Sequence, residues 1–170
     1  TGAIALALAS EHPTWQVSAV EFNSEAVELA QENAERLGFA VTVEQGSWFE
    51  PVQGTFDLIV SNPPYIDPND HHLNEGDVRF EPRSALVANH AGMSDLKHII
   101  ATAPKYLNAN AWLLLEHGYD QADAVCDCLR QHGFVDVENR RDLGDQPRIS
   151  GGRWTGRWVG HCVAKRNGDE

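Results

Sequence analysis

The run Phe56-Asp-Leu-Ile-Val-Ser61 is mostly apolar and meets Asn62-Pro63-Pro64-Tyr65 without a spacer. An apolar stretch of this length predicts a strand covered on both faces, as in a mainly parallel sheet. The two prolines cannot continue it, because neither nitrogen carries a donor and the residue before each is held extended. The strand therefore ends at Ser61 on a rigid backbone. In layered α/β folds, ligands lie beyond the carboxyl ends of such strands.

The rest of the sequence supplies the other layers. Ala3 to Ala9 is made of good helix formers, and Gln16 to Glu21 is a short strand rich in β-branched residues. Asn23 and Ser24 offer N-caps to a helix with apolar positions Val27, Ala30, Ala34 and Leu37, closed by Gly38. Val41 to Glu44 alternates as a strand, and Gly46 to Gly54 is a loop. Residues 66–92 are long enough to predict a functional loop. Met93, Leu96, Ile100, Ala103 and Leu107 keep helical spacing, with a kink expected at Pro104. Trp112 to Glu116 is a buried strand, Ala122 to Leu129 an amphipathic helix ended near Gly133, and Phe134 to Glu138 with Arg148 to Ser150 a closing antiparallel pair. The fold class expected is α/β, a mostly parallel sheet with helices on both faces and an antiparallel pair at one edge. A catalytic domain over residues 1–160 and a polar tail over 161–170 are expected, with one compact core.

Charge narrows the function. There are 13 Lys and Arg against 25 Asp and Glu, and a net charge of -12 repels a phosphate backbone in the absence of a local basic patch. Direct nucleic-acid binding is therefore not expected. Only Arg140, Arg141, Arg148, Arg153 and Arg157 gather as a basic cluster. Three cysteines, an odd and low number, point to a reducing compartment, with cytoplasm as the expectation. No stretch is long and apolar enough for a membrane span, so no membrane partner is expected. His71-His72 lacks a Cys or carboxylate at ligand spacing, and Cys126 and Cys128 face different sides of their helix, so no metal is assigned. The oligomeric state is not written in the sequence.

The chemistry lies at the strand ends. Asn62 and Pro63 present a side-chain oxygen and a carbonyl as two fixed acceptors, suited to the two hydrogens of an NH2 group, with Pro64 keeping the step rigid and Tyr65 as an aromatic wall. Such a site binds an amide or an exocyclic amine. Positioning that nitrogen in line with an electrophilic carbon can supply roughly 7–11 kcal/mol without a strong base. Glu21 ends its strand nineteen residues after Gly2, close to the interval at which an acidic side chain reaches a ribose hydroxyl. Both strand ends are expected to face one crevice.

Val60-Ser-Asn-Pro-Pro-Tyr-Ile-Asp67 resembles the motif of class I S-adenosylmethionine-dependent methyltransferases that modify amide or amine nitrogen. Gly76 to Pro82, Ala85 to Ala88 and Leu113-Leu-Leu-Glu-His-Gly118 are similar to the bacterial peptide chain release factor glutamine methyltransferases, a likeness covering most of residues 1–153. That resemblance implies a Rossmann-like fold, S-adenosylmethionine as cofactor, and a release factor as the protein partner methylated on the N5 amide of a glutamine, with a ribosomal protein, the substrate of a related branch, as the alternative partner. It implies that Thr1 and Gly2 are the tail of the cofactor's glycine loop, that Glu21 holds the ribose and that Trp48 lies by the adenine. Asn62 to Tyr65 would bind the glutamine, with Asn62 also bordering the cofactor. The family often has Asp where this chain has Glu21, and a carboxylate where it has Ser47. Arg79 and Glu81 are expected to order their loop, with contact to the substrate as the alternative, and the Trp154 to Trp158 stretch departs from the family pattern.

Two other readings use the same residues. An adenine-N6 methyltransferase acting on DNA or RNA presents the same two hydrogens to Asn62 and Pro63. A non-catalytic piece is the other, since the chain opens at Thr1 and reads as lacking the strand and most of the glycine loop before it. On that reading residues 1–170 alone are expected to bind the cofactor weakly and to aggregate.

Overall fold

Asn23, two residues past a strand's end, starts the next helix with its side chain. A computed structural model of the chain describes residues 1–64 and 93–157. Two compact units make up the chain, Thr1–Gly54 and Thr55–Glu170.

In the first unit, helix α1 (Ala3–Glu11) leads to strand β1 (Val17–Glu21), helix α2 (Ser24–Leu37) and strand β2 (Val41–Gln45). The Asn23 Oδ1 accepts the backbone N–H groups of Glu25 and Ala26 at 2.9 and 3.1 Å, satisfying two of the donors that a helix start leaves open. Gly38 closes the same helix by donating its N–H to Ala34 and Glu35 carbonyls. β1 and β2 pair in parallel, from Val17 opposite Val41 to Glu21 opposite Gln45. Val27, Ala30 and Val43 form the core between helix and sheet, with Ala19 and Val41 packed against it. Gly2 sits at φ 74°, and a Cβ there would lie 3.1 Å from the Ala30 Cβ. Both the left-handed backbone and the close approach to α2 call for glycine.

In the second unit, strand β3 (Phe56–Ser61) has the bounds expected of it. Helix α3 (Ser94–Thr102) then passes into a single 3-10 turn over Ala103–Lys105, with Pro104 in that turn. Leu107, at helical spacing in the sequence, instead opens strand β4 (Leu107–Glu116). The proline ends the α-helix by removing a donor, and the next apolar residue is free to join the sheet. Helix α4 (Ala122–Gln131) and strands β5 (Val135–Arg141) and β6 (Pro147–Arg153) complete the described elements.

The sheet of this unit has the order β3-β4-β6-β5. β3 and β4 are parallel, whereas β6 runs antiparallel to both β4 and β5, the expected closing pair. Leu96, Ile99, Ile100, Leu113, Leu115, Val125 and Leu129 fill the core with essentially no exposure. Trp154 belongs to it as well. It is buried, its ring centroid lies 5.6 Å from that of Phe134, and its N–H reaches the Ala111 carbonyl at 2.8 Å.

β6 runs three residues past the Ser150 at which the sequence pattern fades. Gly151 and Gly152 carry the strand on because the neighbours leave no room for a side chain. A Cβ on Gly151 would meet Leu114 Cδ2 at 2.5 Å and the Leu113 carbonyl oxygen at 2.7 Å. The backbone oxygen cannot swing aside. Gly151→Ala is therefore expected to cost about 1–3 kcal/mol of stability by overpacking. Urea unfolding of the variant tests this, and an unchanged midpoint contradicts it.

Candidate active site

In the first unit, Glu21 and the loop after β2 occupy one end of the parallel pair. The Glu21 Oε1 accepts the Asn23 N–H at 3.0 Å, so the residue that caps α2 also orients the carboxylate. The Glu21 carbonyl accepts the Gly46 N–H at 3.1 Å, tying the loop to the strand end. Trp48, two residues on, is half-buried at φ 51°, a left-handed conformation that few non-glycine residues adopt. The Ser47 N–H donates to the Glu50 Oε2 at 3.2 Å, so this turn does hold a carboxylate, three residues after the position expected from the family. Phe22 follows Glu21 and is 74% exposed, an aromatic face that sequence patterning did not single out. A carboxylate held at a strand end, with Phe22 next in the chain and Trp48 in the loop tied to that end, is a set of groups that fits a nucleoside: carboxylate oxygens accept hydroxyl hydrogens, and an indole or phenyl ring offers a flat apolar surface.

Thr1 and Gly2 sit farther along α2. Gly2 packs on Ala30, and the Thr1 carbonyl accepts from Asn33 Nδ2 at 3.3 Å. At 1.5 Å per residue these contacts lie roughly 9–14 Å down the helix from its capped start. The structure thus brings Glu21 and the Trp48 turn together and anchors Thr1 and Gly2 at a separate point of the same helix.

In the second unit, Asn62 directly follows β3 and is exposed, Pro63 is buried and Pro64 half-buried. Tyr65 lies outside the described residues, as do His71, His72, Arg79, Glu81 and the segments Gly76 to Pro82 and Ala85 to Ala88. The β3–β4 register ends with Ser61 opposite Leu115, so Asn62 and Pro63 follow the last pair on one strand as Glu116 and His117 follow it on the other.

His117 is fully buried and centres a polar network that the sequence did not disclose. Its Nδ1 is 2.8 Å from the Gly118 carbonyl oxygen and its Nε2 is 2.8 Å from Ser150 Oγ. Asn139 Nδ2 lies 3.3 Å from the same Nε2, 3.0 Å from Ser150 Oγ and 3.1 Å from the Ile149 carbonyl. Cys126 Sγ approaches Ser150 Oγ at 3.5 Å. Arg148 donates to the His117 carbonyl at 3.2 Å and to Asp142 Oδ2 at 3.2 Å, linking the network to the β5–β6 turn.

Burial holds the His117 imidazole below the ordinary value of 6.5, and Arg148 acts in the same direction, against the Gly118 hydrogen bond and the carboxylates of Glu116 and Asp120. Above pH 6.5 the folded and unfolded states are both neutral at this site. As the pH falls through that value the unfolded chain takes up a proton that the folded one refuses, so stability is lost, by up to about 1.4 kcal/mol per pH unit. The fall in unfolding free energy between pH 7 and 5.5 is expected to be shallower in His117→Gln than in the parent. Equal slopes in urea titrations contradict the assignment. The Asp142 carboxyl is held low by the Gln146 N–H first, then by Arg148 and the Gly144 N–H, against desolvation, so its stabilising contribution is lost only at more acid pH.

Cys128 is buried, its thiol pushed up by burial, and its Sγ lies 3.7 Å from His132 Nδ1. Among the described residues no group of three or more His, Cys, Asp or Glu is placed to hold a metal ion. Likewise no described helix is long and apolar enough to cross a membrane.

Residues 1–78 match the family model of the methyltransferase small domain. The release factor glutamine methyltransferase of Yersinia pestis is 56% identical over 148 residues, which are 86% of this chain and 54% of that protein. The chain therefore spans about half the length of the curated relatives it matches. A methyltransferase structure from Pyrococcus furiosus superposes with a TM-score of 0.67 at 20% identity, covering 89% of this chain and 68% of the other. An RNA methyltransferase of Salinibacter ruber, solved with S-adenosyl-L-homocysteine, superposes with a TM-score of 0.54 at 13% identity, covering 99% and 80%. At these identities both structural likenesses are of fold.

Proposed function

The chain is a homologue of the release factor glutamine methyltransferases, and from that kinship we propose that it carries the catalytic residues for methylating the side-chain amide nitrogen of a glutamine in a peptide chain release factor. Its fold is the α/β fold of the class I S-adenosylmethionine-dependent methyltransferases. The observation that carries the proposal is the exposed Asn62 on the buried Pro63 at the end of β3, in a chain this similar to enzymes of that name.

When bound, S-adenosylmethionine supplies the methyl group as an electrophilic carbon. Glu21 is the residue for its ribose hydroxyls and Trp48 for its adenine, the donor set at the end of β1 and β2 fitting a nucleoside. Thr1 and Gly2, fixed against α2, are assigned to the cofactor as the end of its glycine turn. Asn62 Oδ1 and the Pro63 carbonyl accept the two hydrogens of the substrate amide, Pro64 stiffens the step and Tyr65 walls it. An amide nitrogen is a poor nucleophile because its lone pair is delocalised into the carbonyl. Holding both hydrogens in fixed acceptors turns that lone pair toward the methyl carbon and favours attack by alignment. As the N–C bond forms, the methyl group's bond to sulfur breaks and the sulfur keeps that electron pair; the nitrogen, which still carries both hydrogens, then sheds one of them to reach a neutral methylated amide. We place this work in the cytoplasm, where release factors act.

An adenine-N6 methyltransferase uses the same two acceptors, and the described arginines speak against it. Arg140 pairs with Glu138 at 2.7 Å, Arg141 with Asp145 at 3.5 Å, Arg148 with Asp142 at 3.2 Å and Arg153 with Asp136 at 2.6 Å. Four of the five arginines in that cluster thus carry a local carboxylate, on a chain of net charge -12. The test is to offer a purified release factor and duplex DNA in parallel with methyl-labelled cofactor. Label on the release factor is expected, and label on DNA alone would overturn the proposal.

A further inference from the structure

We propose that His117 is a positioning residue for the methyl-transfer step, held as the neutral Nδ1–H tautomer so that the end of β4 forms a fixed rail beside Asn62 and Pro63. This rests on the function proposed above and adds to it a residue that touches neither substrate nor cofactor.

The hydrogen bonds fix the tautomer. A carbonyl oxygen can only accept, so the Nδ1 that lies 2.8 Å from the Gly118 carbonyl carries the proton. Nε2 is then the acceptor, taking the Ser150 hydroxyl hydrogen at 2.8 Å, while the Asn139 amide and the Cys126 thiol donate to the Ser150 oxygen at 3.0 and 3.5 Å. Every donor has an acceptor in this arrangement. A second proton on Nε2 would face the Ser150 hydroxyl hydrogen and the Asn139 N–H, and the network would have to reverse. Glu116 on β4, Asp120 in the turn before α4 and Arg148 on β6 are the charged groups around the ring.

The network joins four elements at one point: His117 after β4, Cys126 on α4, Asn139 on β5 and Ser150 on β6. Main-chain bonds complete the clamp, with the His117 N–H on the Arg148 carbonyl at 3.0 Å and the Gly118 N–H on Gln121 Oε1 at 2.8 Å. Ser61 pairs with Leu115 in the last step of the β3–β4 register, so Asn62 leaves β3 one residue past that pair and the clamped His117 lies two residues past it on the other side. Two prolines leave Asn62 and Pro63 few main-chain donors with which to fix themselves to β4. Their position therefore depends on a neighbour that does not move, and a displacement of about 1 Å at such a site can cost on the order of 100-fold in rate.

The experiment uses the intact protein. Nitrogen-15 spectra of the histidine rings are expected to show His117 neutral at pH 7.5, with Nδ1 protonated and Nε2 bare. His117→Ala is expected to lower kcat on release factor by about 10–100-fold while the dissociation constant for S-adenosylhomocysteine stays within about twofold. His117→Asn, which keeps a donor for the Gly118 carbonyl, is expected to recover part of the loss. Ser150→Ala, which leaves the ring in place, is expected to lose less than His117→Ala and covers the case in which His117→Ala does not fold. Parent activity with unaltered kcat in folded His117→Ala, or in Ser150→Ala should His117→Ala not fold, overturns the proposal, as does a ring protonated at Nε2. A parent protein that methylates no glutamine defeats the underlying functional reading instead, and shows itself before any variant is made.

Discussion

Asn62→Ala is expected to lower turnover on release factor by about 100–1,000-fold while cofactor affinity stays within about twofold. Asn62 is exposed at the end of β3, so the substitution leaves no cavity and exposes no core. What it removes is one of two acceptors for the amide hydrogens, leaving the nitrogen to turn about the Pro63 contact alone. Its lone pair then faces the methyl carbon in only a small share of bound states. Single-turnover kinetics report the first quantity and calorimetry with S-adenosylhomocysteine the second. Losses of equal size in both contradict an orienting role and make Asn62 a residue of cofactor binding.

The second large effect is expected at Glu21. Hydrogen bonds to a charged acceptor contribute about 1.5–3 kcal/mol, so Glu21→Ala is expected to weaken cofactor binding by roughly 10–150-fold. Part of any loss is structural, because the Glu21 Oε1 also takes the Asn23 N–H at the start of α2. Glu21→Gln separates the two contributions, since its amide oxygen keeps an acceptor for Asn23 but carries no charge. It is expected to keep the thermal midpoint and lose part of the affinity. An alanine variant that binds S-adenosylhomocysteine as tightly as the parent removes Glu21 from the cofactor site.

The parts of the fold legible in the sequence are those decided by local chemistry. Asn23 and Gly38 mark the ends of α2 because each satisfies helix-end groups that its immediate neighbours cannot. The bounds of β3 follow from an apolar run cut by prolines. Parts decided across the chain were not legible. Leu107 kept helical spacing yet joins the sheet, where its carboxyl-side neighbour Asn108 bonds Thr55 and Asp57 on the β3 side. Gly151 and Gly152 read as a strand's end, although their lack of side chains is what lets β6 lie between β4 and β5.

The same division holds at the site. Asn62 and Pro63 stood out as candidates because the order of donors and acceptors along a rigid tetrapeptide is itself a chemical pattern. His117 did not, since its importance lies in Cys126, Asn139 and Ser150, which are distant in sequence. The available signal was its place in Leu113-Leu-Leu-Glu-His-Gly118, a segment similar to the release factor glutamine methyltransferases that follows an apolar run. Trp154, without an account in the sequence, is a core residue packed on Phe134. Where Glu21 and Asn62 were expected to face one crevice, the structure describes each within its own unit.

The central claim is that the nitrogen held by Asn62 and Pro63 is a glutamine amide of a release factor. It is tested most directly by incubating the intact protein with methyl-labelled S-adenosylmethionine and, separately, a purified release factor and a ribosomal protein, then mapping the modified atom by tandem mass spectrometry. The predicted result is a single methyl on the side-chain amide nitrogen of one glutamine in the release factor. Label on the ribosomal protein alone would contradict the assigned partner, and label on any atom other than a glutamine amide nitrogen would contradict the chemistry.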